Sequence, residues 1–335
     1  MKPEDALIHY DIGAVQKISP ISIGLIHSTY KIRAAAGDFI LQQLHPMLSH
    51  PSLTEDYAAV TQQLAAAGVT AQSVIKTRDG ALTVADESAA ERTWRLLSFV
   101  PGSVIELMET AGQARACGAA VGQFHAGLAG MKYKFKSTLA FHPYDSAKFY
   151  RAFKAVAKKF AHDPLMELVR EEVEFLLRVL PKTALPSGLP KRVVHGDLKI
   201  TNFVFDAAGK SVRAIIDLDT CAKFPVLYEL GDALRSWCGR AEDDPHNKFN
   251  AAFYRAAVEG YSAGAPGFLS ARERRLLPRA LKHITLTQAC RFLRDYFEDN
   301  YFGWNAKKYS SRRAANLARA RGQIALWKDQ EKKLK

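Results

Sequence analysis

The run from Val193 to Asp206 reads VVHGDLKITNFVFD, and no other stretch limits the fold as strongly. Two clusters of β-branched and aromatic residues, of the length and kind that build buried strands, flank a loop carrying His195, Asp197, Lys199 and Asn202. The turn sequence Asp206-Ala207-Ala208-Gly209 then leads into Val212-Arg213-Ala214-Ile215-Ile216-Asp217-Leu218-Asp219. The local expectation is strand, polar loop, strand, hairpin turn, and a strand that ends in acid. Such a hairpin returns Asp217 to the loop that holds Asp197 and Asn202.

On either side of this motif the patterns differ. From about 15 to 100 the chain reads as strands with one helix. Tyr30, Ile32 and Ala34 alternate with Lys31 and Arg33, and Gly37-Asp38 offers a turn before Phe39-Ile40-Leu41, which predicts a hairpin. Ser52-Leu53-Thr54-Glu55 fits a capping box ahead of Tyr57, Val60 and Leu64 at helical spacing, and Gly68 sits where that helix ends. Val74-Ile75, Leu82-Thr83-Val84 and Trp94 to Val100 supply further strands, and Pro101-Gly102 breaks the last. The boundary is placed there, giving lobes over 1–100 and 101–335, each expected to hold its own core. Thr110-Ala111-Gly112-Gln113 is a second capping box, before Cys117, Val121, Phe124 and Leu128 on one helical face. Another long helix is expected through Met166, Val173, Leu176, Leu177 and Leu180, ending at Pro181, and everything after about 225 reads as helices. The fold class is therefore α+β: a small antiparallel sheet lobe with one helix, then a larger, mainly helical lobe.

Composition narrows the function. A chain of 335 residues with 48% hydrophobic content is globular rather than disordered. No run approaches the roughly 18 apolar residues of a membrane span, and the mixed charge of Met1-Lys2-Pro3-Glu4-Asp5 is not a leader pattern, so a soluble, cytoplasmic protein with no membrane partner is expected. Cys117, Cys221, Cys238 and Cys290 are scattered, with no C-x-x-C pair, and read as reduced, structural thiols. Much of the net charge of +13 lies in the last stretch, where Lys307, Arg312, Arg319 and Lys332 are among ten basic residues facing only Asp329 and Glu331. Leu317, Ile324 and Leu326 recur among them at helical spacing, as on a solvated helix face, and no stacking-aromatic motif accompanies the charge, so a nucleic-acid partner is not expected.

The central motif carries the chemistry. Phosphoryl transfer from ATP needs a carboxylate to accept the proton of the attacking hydroxyl and oxygen ligands to hold magnesium against the phosphates. His195-x-Asp197 and Asn202 match the spacing of the protein-kinase catalytic loop, and Asp217 stands where the metal-binding aspartate of those enzymes would. The chain resembles the aminoglycoside phosphotransferase and choline kinase superfamily, whose loop reads His-Gly-Asp, as here. More narrowly, Gly24 to Tyr30, Ile40-Leu41-Gln42-Gln43, Ile216 to Thr220, Gly231-Asp232-Ala233-Leu234-Arg235 and Arg291 to Tyr296 resemble the N-acetylhexosamine 1-kinases. The resemblance implies a bilobal protein-kinase-like fold, ATP and magnesium as cofactors, Asp197 as general base, Asn202 and Asp217 as metal ligands, and His195 as a hydrogen-bonded structural residue. Asp219 reads equally as a second metal ligand or a loop residue, and Asp232 as a structural group holding the catalytic loop from beneath.

Two departures matter. The third strand, Phe39-Ile40-Leu41-Gln42-Gln43, has glutamine where most kinases have a phosphate-gripping lysine, and a neutral amide cannot neutralise a phosphate. The hexosamine kinases resembled here also tend to lack that lysine. Glu55 is thereby in doubt as an ion-pair partner, and Lys199 becomes the candidate cation at the transferring group. Neither a Walker A sequence nor G-x-G-x-x-G is present, so the nucleotide loop falls to Ser19–His27, with Gly24 allowing close approach to phosphate, Gln42 nearby, and adenine against Ser98, Phe99 and Val100. For the acceptor, the candidates are Arg291, Tyr301 and, less directly, His27. The expected substrate is a small hydroxylated metabolite, a sugar such as N-acetylhexosamine first. Homoserine, choline or ethanolamine, fructosamine, an aminoglycoside, or a catalytically idle kinase-like binding protein are the alternatives.

Overall fold

Alternating apolar and polar residues send the N-terminal third of the chain into an antiparallel sheet. In this computed structural model, which describes residues 1–21, 27–86, 92–137 and 144–334, the sheet runs β1 (Val15–Ile21), β2 (Ser28–Ala34), β3 (Gly37–Gln43), β6 (Thr93–Ser98) and β4 (Val74–Ile75), with β5 (Val84–Ala85) also paired to β6. The expected hairpin forms between β2 and β3, Ala34 lying opposite Gly37. A short helix, α1 (Pro3–Leu7), precedes the sheet, and α2 (Pro51–Ala66) lies between β3 and β4. The start of α2 differs from the capping-box reading. His50 Nδ1 accepts from the Ser52 N–H, Pro51 fills the first helical position, and Glu55 pairs instead with Lys136 at 2.6 Å.

One sheet face packs Ile32, Leu41, Trp94 and Leu96 against Leu7 and Tyr10. The other packs Ile40 and Leu97 against Tyr57, Val60 and Leu64 of α2, and this layer is continuous with Phe124, Leu198, Phe203 and Trp237 of the helical region. The sheet therefore has a core of its own on one face, while on the other α2 carries an apolar layer on into the helical region.

The helical region contains α3 (Ala111–Gly127), α4 (Ser146–Lys159), α5 (Pro164–Glu167), α6 (Arg170–Thr183), α7 (Val226–Cys238), α8 (Ala251–Gly264), α9 (Ala271–Glu298) and α10 (Arg312–Lys333). The single helix expected over 166–180 is broken at Val169, which caps α6 with non-helical geometry, and Pro181 sits inside the last turn of α6 rather than ending it. Two small ribbons carry the central motif: β7 (Lys191–Val194) pairs with β10 (Ala222–Pro225), and β8 (Phe203–Phe205) with β9 (Val212–Ile215). Helices α3 and α8 approach backbone to backbone. A Cβ at Gly118 would come 2.0 Å from the Ala257 carbonyl oxygen, and one at Gly260 would come 2.0 Å from that of Arg115.

The connection out of the sheet is stitched to β8. Ser103 and Phe205 exchange backbone bonds of 3.1 and 2.7 Å, and Gly102, at φ +157°, passes so near that a Cβ would lie 2.1 Å from the Phe205 oxygen. The basic residues of the C-terminal stretch are spread along α10, where Arg313 meets Asp299 at 3.2 Å, Arg321 meets Glu172 at 2.6 Å and Lys333 meets Asp329 at 2.7 Å. All four cysteines are buried free thiols. Among the described residues no helix is long and apolar enough to cross a membrane.

Candidate active site

The loop after β7 is held by a set of bonds that the local sequence makes obligatory. Gly196 has φ +94°, and a Cβ there would sit 2.4 Å from the Thr220 carbonyl oxygen, so glycine is required between His195 and Asp197. Its N–H donates to Glu229 Oε2 at 2.6 Å, from inside α7. The Trp237 indole N–H donates to Leu198 O at 3.0 Å, and Thr220 Oγ1 donates to His195 O at 2.8 Å. His195 is fully buried. Its Nδ1 accepts from the Asp197 N–H, which makes Nε2 the protonated nitrogen, donating to Ile216 O at 2.9 Å. The histidine thus ties the loop to the strand that delivers Asp217.

These supports leave the candidate side chains partly exposed. Asp197 is 38% exposed and Asp217 36%. Lys199 Nζ bridges them, 2.6 Å from Asp197 Oδ2 and 3.5 Å from Asp217 Oδ2. Partial burial works against the charge of Lys199, but the two carboxylates outweigh it and hold the ammonium above its usual range. Asn202 Nδ2 donates to Asp197 O at 2.8 Å, which keeps Oδ1 as the oxygen donor of that side chain, and lies 3.5 Å from Asp217 Oδ2. Asp197, Lys199, Asn202 and Asp217 are therefore brought together. A carboxylate, a cation and two further oxygen donors within one cluster can orient a hydroxyl, take its proton and hold a divalent metal beside phosphates.

Residues 17–274 match the family described as Phosphotransferase enzyme family. The chain belongs to that family. As a member it is a phosphotransferase acting on small substrates, a kinase with an alcohol group as acceptor. This phosphotransferase is 26% identical over 284 residues to a protein of Azorhizobium caulinodans named homoserine kinase, a match covering 84% of this chain and 81% of the relative. Its fold is shared with an aminoglycoside phosphotransferase from Alicyclobacillus acidocaldarius, at TM-score 0.71 and 12% identity over 100% of this chain and 96% of that one. It is shared too with a microcompartment-associated aminopropanol kinase, at TM-score 0.66 and 18% identity over 98% and 97%.

Other expected site residues of the phosphotransferase fall elsewhere. Gly24 lies outside the described residues. Gln42 gives its carbonyl oxygen to Arg95, at 3.0 Å from Nε and 2.8 Å from Nη2, so any phosphate contact falls to its amide nitrogen. The backbone of Ser98 is engaged with Ser73 and Gln72, the Phe99 ring lies under Lys31 Nζ at 4.0 Å, and Val100 is buried with Val204 and Ala214. His27 is engaged on both ring nitrogens. Its Nε2 is 3.1 Å from Asp219 Oδ2 and its Nδ1 accepts from the His45 N–H. Arg291 and Tyr301 do share a cavity of about 460 Å³ between α4 and α9, with Phe149, Arg294 and Phe302. The Arg291 guanidinium stacks over Phe149 and Phe302 and bonds Gln288, not Asp295 or Glu298.

One role differs from the sequence reading. The acid beneath the catalytic loop is Glu229, one turn before Asp232, while Asp232 pairs with Arg235 at 2.9 Å. Asp219, read equally as a second metal ligand or a loop residue, lies in the turn after Asp217 as the buried ion-pair partner of Arg95. Both partners left a signal. Glu229 and His125 are polar residues inside apolar helical faces, and Arg95 is a charge inside the apolar run Trp94–Leu97.

Proposed function

We propose that this phosphotransferase moves the terminal phosphoryl group of ATP to the hydroxyl of a small amino alcohol, homoserine first. The observation that carries the reaction is the meeting of open Asp197 with Lys199, Asn202 and Asp217. Asp197 orients the acceptor hydroxyl and takes its proton, and Lys199 supplies positive charge at the transferring group. Asp217 and Asn202 Oδ1 are the oxygen donors suited to a magnesium ion, which when bound neutralises phosphate oxygens. Backbone groups at Phe99 and Val100 are the proposed adenine edge.

For the acceptor, support comes from a charged cluster and from the relatives. Arg235 bonds Asp232 at 2.9 Å, Glu242 at 3.2 Å and Gln323 at 3.3 Å. Burial pushes the Tyr144 phenol up, and the charges of Glu229, Asp232 and Asp197 add to that. A guanidinium between carboxylates suits a zwitterion: Arg235 Nη2, which these three bonds do not use, is the donor for a carboxylate, and Asp232 or Glu242 takes an ammonium. Relatives named homoserine kinase, from Azorhizobium caulinodans and Methylocella silvestris among others, agree with that chemistry. The second reading, an N-acetylhexosamine phosphorylated at its anomeric hydroxyl, is favoured by the rings of Phe149, Tyr301 and Phe302 around Arg291. Incubation with ATP, magnesium and a panel of homoserine, ethanolamine, choline, aminopropanol and N-acetylhexosamines, read by phosphorus NMR, decides between them. A homoserine phosphate ester is expected. A sugar 1-phosphate alone would install the second reading, and no product from any acceptor would leave a nucleotide-binding kinase relative.

A further inference from the structure

Arg95 is 1% exposed in the middle of β6, where a guanidinium has no water to solvate it. It is satisfied by a bidentate pair with Asp219, both bonds 2.6 Å, and by Gln42 Oε1. The Tyr57 ring lies 4.6 Å from its guanidinium carbon, and His27 Nε2 meets the same carboxylate. Arg95 from β6 and His27, the residue before β2, thus meet on one acid of the helical region, while Gln42 of β3 and Tyr57 of α2 hold the guanidinium from its other sides. That acid lies two residues after Asp217, in a 3₁₀ turn over Leu218–Thr220. Asp217 itself is left-handed, at φ +69° and ψ +56°, a conformation a non-glycine residue keeps only when its surroundings impose it. Asp219 is fixed by Arg95 and Thr220 by His195, so the turn is clamped on the side that follows Asp217.

We infer that Arg95 is a positioning residue for phosphoryl transfer: through Asp219 it imposes the left-handed turn at Asp217 and so sets that carboxylate against Asn202 and Asp197. The inference rests on the kinase reading above. Arg95 does not grip phosphate, because its donors are spent on Asp219 and Gln42 and it has no open face. A cation on the sixth strand thereby organises the metal side of the site in a chain whose third strand carries glutamine.

Arg95→Lys keeps the charge and loses the fork, and Asp219→Asn keeps the shape and loses the charge. Each is expected to raise the half-saturating magnesium concentration at least about tenfold, with the KM for ATP changed less than about threefold. The double variant should be no worse than either single, since the pair acts as one unit. Calorimetric titration with ADP, with and without magnesium, reads the same geometry without turnover. Arg95→Lys should there reduce the magnesium enhancement of ADP binding at least about tenfold, whichever acceptor is correct. An undiminished enhancement in a variant whose melting temperature alone has fallen would overturn the inference and make the pair a stability element. If Arg95→Lys does not fold, Asp219→Asn answers the same question. Failure of the kinase reading is visible separately, as absence of turnover in the unaltered chain.

Discussion

Asp217 and Asp219 stand two residues apart in opposite environments. Asp217 is partly exposed, with Lys199 and the Asn202 amide 3.5 Å away, whereas Asp219 is 2% exposed and takes two 2.6 Å bonds from Arg95. Burial alone would push the Asp219 carboxyl up, but the Arg95 charge and the bonds from His27 and Arg95 outweigh it and hold the group far below the usual carboxylate range. The same division separates Asp197, partly exposed, from Glu229, which lies fully buried under Gly196 with His125 against its other oxygen at 2.7 Å. Exposure leaves a carboxylate available to cations and protons that arrive with substrate. Burial commits it to backbone and to one fixed partner, which is the way to hold a loop in place.

If that division is right, substitutions on the open side should remove chemistry without touching the fold. Asp197→Asn is expected to lower kcat by about 10²–10⁴ with the affinity for ADP and the melting temperature unchanged, as read by steady-state kinetics and calorimetry. A variant that turns over normally would strike Asp197 from the mechanism. On the buried side the two effects should come together. Glu229→Gln weakens the bond to the Gly196 N–H, and a loss of about 1–3 kcal/mol of stability with a fall in kcat of about 10–100-fold is expected. Denaturant unfolding beside kinetics tests this, and a stability loss with full activity would detach Glu229 from the loop's function.

An effect on stability alone concerns another buried titratable group. His283 on α9 is buried against the Tyr228 ring, with Thr183 Oγ1 at 3.0 Å from Nδ1, and burial, aided by Arg279, lowers its value to about 4. The unfolded chain then takes up a proton first. Stability contributed by neutral His283 is full above about pH 6.5 and is lost as pH falls towards 4, by up to about 3 kcal/mol. Asp219 acts lower: its stabilisation is present above the unfolded carboxylate value, about 4, and is lost only below that. Unfolding free energies measured from pH 7 to 4 should slope downward in the unaltered chain and flatten in His283→Gln.

The open side of the site was legible in sequence because Asp197, Lys199, Asn202 and Asp217 are polar residues breaking short apolar strands within 21 positions of one another. The buried side was not, because its partners come from distant segments. Arg95 and Asp219 are separated by 124 positions, and Glu229 and His125 by 104. Glu229 and Asp232 are one helical turn apart, and only the packing of α7 decides which of them looks toward the loop. The pairing of β10 with β7 is likewise non-local, since the strand that follows Asp219 joins the one that precedes His195. At the start of α2 the Ser52-to-Glu55 spacing was a sound signal, but His50 and Pro51 already satisfied the helix end and Lys136 drew Glu55 away.

The glycine contact between α3 and α8 acts as a gauge for the height of the catalytic loop. His125 stands on α3 and Tyr261 on α8, and they meet at 2.9 Å through His125 Nδ1. The other ring nitrogen of His125 holds Glu229, and Glu229 holds Gly196. Any spacer inserted at Gly118 or Gly260 must thicken the helix pair, and the displacement has a bonded route to the residue beside Asp197. A methyl group added between two distant helices would therefore be felt as a change in where Asp197 stands.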